Sequence, residues 1–335
     1  MMRQESLAIV IAGGLALGLS FGSPRNACAQ AETIKIGTLA PKSSPWGKVF
    51  ETWVKAVSEK SSGKLEVQFF YNGQQGDEDA MVGKIKSSQL DGAAISGVGL
   101  GKVYKPILAL QLPGLFTSWS KLDKARDAMR SEFEKGAKDA GFFIAGWGDV
   151  GLMRTMAKGF VVKVPDDLKT KKPYYIRADG VRPAVYSAIG GVSGVPLNVP
   201  EVLPNLNTGA INLIQAPCLV AEQLQWASKL DNLTDLISGP VIGAIVISQK
   251  RMDALPADLK TILMDTGKIA AVALTTRIRS EDDAACSRLK AKMTVTTPST
   301  AEKAKWDGVF KTARQKLVPG TFSAELVAKL EGFAK

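Results

Sequence analysis

Histidine is absent from the 335 residues. That removes Ser-His-Asp and Cys-His nucleophile pairs, every histidine-containing metal site, and the most frequent general acid–base group. Cysteine is almost absent. Cys28, Cys218 and Cys286 are too few for a disulfide framework and too scattered for a four-cysteine metal site, so no metal or other cofactor is expected. No P-loop spacing occurs. Gly97-Val-Gly-Leu-Gly101 lacks the spacing of a dinucleotide loop and reads as a turn with close backbone packing ahead of a helix. Basic blocks are missing too. Lys and Arg are spread along the chain, so the net charge of +11 reads as a solvated surface, with no nucleic acid expected.

What is present begins with an export pattern. Arg3 precedes an apolar, uncharged run over residues 7–21, followed by Ser23-Pro24 and Ala27-Cys28-Ala29. A charged start, an apolar middle and a small-x-small end form a cleavable secretory signal over residues 1–29. The run is short of the roughly 20 residues that span a membrane, and no later segment reads as a span. Arg25 and Asn26 stand where a lipoprotein signal places small and leucine-like residues before Cys28. The expected location is therefore the periplasm. Cleavage takes away Arg3, Arg25 and Glu5 and leaves a net charge of +10. Cys218 and Cys286 could pair in that oxidising compartment.

Short apolar strands alternate with amphipathic helices through the rest of the chain, which predicts a largely parallel sheet covered on both faces. Residues 33–38 read as the first strand, and Ser44-Pro45 as the start of the next helix. Asp77, Glu78 and Asp79 sit in the first turn of another helix, where carboxylates suit the dipole. Residues 142–147 and 151–157 read as two strands, residues 217–228 as one helix, and residues 241–248 as a buried strand. From Pro256 to about Lys290, apolar residues recur at helical spacing, giving a helix of about 50 Å that can lie across two lobes. Residues 89–96 echo residues 207–215 in plan, each a helix end, a glycine and a strand, so Ser96 and Gln215-Ala216-Pro217 are expected to face each other across a cleft.

The ordered series "IKIGTLAPKSSPWGKVFETW", "YNGQQGDEDAMVGKIKSSQLDGAAISGVGLG", "GWGDVGLMRTMAK", "VPDDLKTKKPYYIRADG", "EVLPNLNTGAINLIQAPCLVAEQLQWASKLDNLTD" and "ALPADLKTIL" resembles the DctP-type substrate-binding subunits of TRAP transporters. The resemblance covers nearly the whole chain after the signal. "QAPCLVAEQLQW" is similar to the branch whose transporters work with a TPR-repeat protein. The resemblance implies a two-lobed, type II-like periplasmic binding fold of the α/β class, with a long helix spanning both lobes. The lobes are expected over residues 32–152 plus 241–280 and over 153–240 plus 281–335. It also implies uptake of a small organic acid through a separate TRAP permease, with no chemistry performed by the binding protein.

In that family an arginine of the second lobe grips a ligand carboxylate, and Arg177 in "YYIRADG" matches its position; Arg154 in "GLMRTMAK" matches a second one. A planar guanidinium can donate two parallel hydrogen bonds to a carboxylate. The cleft edges add Trp46, Asp77, Glu78, Ser96 and Gln215, and Trp147 and Trp226 are candidates for an apolar wall. Many family members place asparagine where this chain has Ala216, and alanine cannot donate. A monocarboxylate with an apolar part is therefore the expected ligand. Competing readings are the binding protein of an ATP-driven importer, a ligand-presenting sensor subunit, and a periplasmic enzyme working through carboxylates.

Overall fold

The computed structural model describes residues 31–318 and 320–334, so the expected signal segment, residues 1–29, lies outside the described residues. Strand β1 (Glu32–Thr38) leads into helix α1 (Pro45–Lys60). Ser44 caps that helix by accepting the Gly47 N–H at 3.2 Å, and Pro45 fills the first turn. Then come β2 (Leu65–Phe70), α2 (Glu78–Lys86), β3 (Gly92–Ser96), α3 (Gly97–Val103) and α4 (Trp119–Asp139). The glycine run expected to form a turn is itself the body of α3. Its glycines serve close approach: a Cβ on Gly99 would stand 2.9 Å from Glu78 Oε2.

The two strands expected over residues 142–157 are one, β4 (Phe142–Ala157). Bulges at 144–146 and 149–151 absorb the extra residues that make the pattern look interrupted. Gly151 has φ +146°, a conformation open to glycine, and a side chain there would meet Asp282. Next come β5 (Tyr174–Ile176), α5 (Arg182–Ile189), β6 (Val195–Leu197), α6 (Val202–Thr208), β7 (Leu213–Pro217) and α7 (Cys218–Gln223). The helix expected to reach residue 228 stops early, because Gln225 turns to φ +62° and starts a separate 3-10 turn. The chain continues through β8 (Asn232–Thr234), β9 (Pro240–Ser248), α8 (Gln249–Ala254), α9 (Ala257–Lys290), β10 (Thr294–Thr296), α10 (Thr300–Leu317) and α11 (Ala324–Ala334).

The main sheet runs β10-β8-β4-β9-β3-β1-β2, with β7 also on β4; β5 and β6 pair separately. It is mixed, where the sequence predicts a largely parallel one. β1 is parallel to β2 and β3, but β9 is antiparallel to both β3 and β4. The reason lies in β4 and β9, which pass side by side between the two halves of the sheet in opposite directions. The first part of β4 pairs with β9, and residues 153–157 pair with β7 and β8. Gly239, at φ +149°, precedes β9 beside this crossing.

Helix α9 packs along β4, α1 and α7. The Cys218–Cys286 disulfide ties α7 to it, with the Cα atoms 5.0 Å apart. One apolar core joins α1, β1 and α9 through Trp53, Val57, Ile34 and Leu263. A second sets Met129 and Phe133 of α4 with Leu330 of α11 against β3 and β9. Helix α11 therefore packs on elements of residues 32–152, although its place in the chain falls within 281–335.

Candidate functional site

A cavity of about 190 Å³ opens where the ends of β1, β3 and β7 meet the β4–β9 crossing. One wall carries Trp46 and Phe50 of α1, Glu78 of α2, Ser96 of β3 and Leu274 of α9. The other carries Met153, Tyr174, Tyr175, Arg182, Gln215, Ala216, Leu224 and Trp226. The lining is mainly apolar and aromatic. Tyr174 and Trp226 meet edge to face, with ring centroids 5.6 Å apart.

Most polar groups at the cavity are already engaged. Glu78 is buried and accepts from Ser96 N–H at 2.7 Å, Ser96 Oγ at 2.7 Å and Gly99 N–H at 2.9 Å. Burial outweighs these donors and pushes its carboxyl up to about 7. Asp77 caps α2 through the Glu78 N–H and also accepts the Val199 N–H at 3.1 Å; burial raises its pKa as well. Asp149 is fully buried between Arg126 at 2.7 Å and Arg279 at 2.8 Å. Asp179 Oδ1 accepts the N–H groups of Val181 and Arg182, closing the start of α5. Gln215 Nε2 donates to Thr155 Oγ1 at 3.3 Å.

Arg182 differs from these groups. It is 8% exposed, lines the cavity, and forms no ion pair with a carboxylate among the described residues. Its Nη2 donates to Met153 Sδ at 2.6 Å, and a thioether is a weak acceptor. A desolvated guanidinium whose side-chain acceptor is a thioether keeps donors available for a stronger acceptor such as an anion.

The candidates divide. Trp46, Glu78, Ser96, Gln215, Ala216 and Trp226 border the one cavity, whereas Arg177, Arg154, Trp147 and Asp77 are not in its lining. Arg177 follows the last residue of β5, leaves the strand for solvent, and pairs with Glu201 at 3.2 Å. Arg154 lies in β4 between Met153 and Thr155, so strand alternation turns it away from the face that Met153 presents to the cavity. It bonds Asp235 at 3.4 Å and the Leu152 carbonyl at 3.3 Å. Trp147 points to the sheet face covered by α4, where its Nε1 donates to Glu134 at 2.8 Å; its neighbours Gly146 and Gly148 face α9. Arg182, Tyr174, Phe50 and Met153 are cavity residues that the sequence reading does not name. For Arg182 a signal exists: Asp179-Gly-Val-Arg-Pro183 has a capping acid and a first-turn proline, which places the arginine at a helix start.

The fold and site can be compared with known proteins. A solute-binding protein of Chromohalobacter salexigens is 25% identical over 211 residues, 63% of this chain and 62% of that protein. The TRAP periplasmic solute-binding protein of Sulfurospirillum deleyianum, solved with bound succinate, superposes with a TM-score of 0.83. It is 20% identical and the match covers 90% of this chain and 99% of that one. The sugar acid binding protein of Advenella mimigardefordensis, in complex with galactonate, gives a TM-score of 0.85 at 19% identity, over 91% and 98% of the two chains. These likenesses show the fold, the two-lobed α/β architecture of those proteins, with the 34-residue α9 packed along β4, α1 and α7. With residues 36–319 matching the family's pattern, the chain belongs to DctP, the bacterial extracellular solute-binding protein family 7.

Proposed function

We propose that this chain captures a small organic monocarboxylate with an apolar body and delivers it unchanged to a TRAP-type membrane permease. The observation that carries the reading is Arg182, a guanidinium enclosed in an apolar cavity without a carboxylate partner among the described residues. A ligand carboxylate supplies the missing charge and takes two parallel hydrogen bonds. A second carboxylate would find no cation: Arg182 is the one basic side chain among the described lining residues, and the other charged residues there are Glu78, Asp149 and Asp179. Trp46, Phe50, Tyr174 and Trp226 offer apolar surface to the rest of the ligand.

Isothermal titration with matched acids tests this, pairing branched oxo acids and short fatty acids against dicarboxylates and sugar acids. Branched or fatty monocarboxylates should bind tightest and come back chemically unaltered. Tight binding of small polar dicarboxylates alone would overturn the reading.

Residues 1–29 act in this proposal as the export signal, which N-terminal sequencing of the mature protein checks by starting at Gln30. A TPR-repeat protein is a proposed accessory partner on the strength of the "QAPCLVAEQLQW" segment, whose residues build β7, α7 and part of the cavity wall.

A further inference from the structure

Two residues that stand outside the cavity lining are joined by a chain of contacts along its rim. Asp77 Oδ1 caps α2 at the Glu78 N–H, 2.8 Å away, while Oδ2 reaches 122 residues along the sequence to the Val199 N–H at 3.1 Å. A cap needs only the first of these bonds. Val199 borders the cavity from the opposite wall to Glu78. Its segment is held by Glu201, whose Oε2 accepts the Asn198 N–H at 2.6 Å and Arg177 Nη2 at 3.2 Å. Arg177 is itself anchored to the segment, its own N–H donating to the Leu197 carbonyl at 3.0 Å. At the same rim Gly73 approaches Pro200 so closely that a Cβ on the glycine would touch the proline ring.

We propose that Asp77 is the latch that holds the cavity shut, and that Arg177 works through Glu201 as a positioning residue presenting the Val199 N–H to it. Neither is in the cavity lining. The purpose of the latch rests on the capture reading above, but its geometry stands without a ligand. A hydrogen bond from a peptide N–H to a buried carboxylate is stronger than a neutral one. It forms only when the two rims meet, so it favours the closed state and slows escape of whatever is inside.

Residue-resolved amide exchange on the full mature protein tests the latch directly. Asp77→Ser keeps a good N-cap but is too short to reach Val199. Asp77→Ser should speed Val199 amide exchange about tenfold or more, with the melting temperature close to native. Arg177→Ala should speed exchange at both Asn198 and Val199 by a smaller factor. Unchanged Val199 exchange in Asp77→Ser would overturn the proposal.

A second arm uses 3-methyl-2-oxobutanoate as a probe. Asp77→Ser and Val199→Pro, which removes the donor, should each hasten its release, and the double variant should release it no faster than the faster single. Additive acceleration would count against a shared contact. If the native protein does not bind the probe while the exchange result holds, the ligand reading fails and the latch stands.

Discussion

Arg182 and Arg154 are both buried arginines, yet their surroundings assign them opposite jobs. Arg182 meets a thioether and a cavity; Arg154 meets Asp235 and a backbone carbonyl. Arg182→Met should weaken monocarboxylate binding by about 100-fold or more while leaving the melting temperature level or higher, since an unpaired buried charge is removed. Arg154→Ala should do the reverse, lowering stability by about 3 kcal/mol with little change in affinity. Titration calorimetry and thermal melts on the two variants check the pair.

Glu78 adds a pH prediction. Its carboxyl titrates at about 7 in the fold against an ordinary 4.5, so between those values the folded chain keeps a proton that the unfolded chain has released. Its stabilising contribution is complete below the unfolded value and is lost as pH rises through the folded one. From about pH 5 to about pH 8 the melting temperature should fall more steeply in the native chain than in Glu78→Gln. Parallel slopes would refute this.

At this scale the sequence shows which residue types are available but not where they point. Arg154 is the residue that the resemblance points to, yet it is Met153 beside it that lines the cavity. Ser96, Gln215 and Ala216 were legible because a strand end has a fixed place in the sheet.

Among the elements, α7 is the wall most dependent on an outside anchor. It is short, its end is set by Gln225 in the left-handed region, and it hangs on α9 through Cys218–Cys286. Asp282 of α9 reinforces the join, accepting the Leu219 N–H of α7 at 2.9 Å and the Leu152 N–H of β4 at 3.0 Å. The bridge closes a loop with a sequence separation of 68, a length for which cross-linking contributes about 4 kcal/mol. Replacing both cysteines with serine, or reducing the native protein, should lower the melting temperature markedly and weaken ligand binding less, because neither sulfur is in the cavity lining.

The elements that pattern reading recovers best, β1, α1, α2 and α9, have a clear capping residue, a clear period, or both. It splits β4 because bulges and three glycines break the alternation, and only the register with β9 shows that pairing runs through them. It names neither α10 nor α11. Their apolar faces are completed by residues far away in the chain, such as Phe133 for Leu330, which no local window contains.

For the whole molecule, the two-lobed α/β fold class expected from the sequence is that of its structural neighbours, whereas the return of α11 to α4 is a long-range packing choice invisible to a linear reading. A capture protein of this design should become smaller when loaded. Small-angle scattering on the purified chain before and after saturation with a bound monocarboxylate should register a drop in the radius of gyration, and an unchanged radius would argue against closure.

The β4–β9 crossing sets how such a movement is made. The two antiparallel strands remain paired through the crossing, from Leu152 with Pro240 back to Phe142 with Ser248, and a positive-φ glycine lies on β4 at Gly151 while another, Gly239, immediately precedes β9. A ribbon of that kind flexes as a leaf spring does: it bows readily across its thin direction and resists shear in its plane. Closure about such a ribbon would be confined to one arc and would bring the same pair of edges together each time.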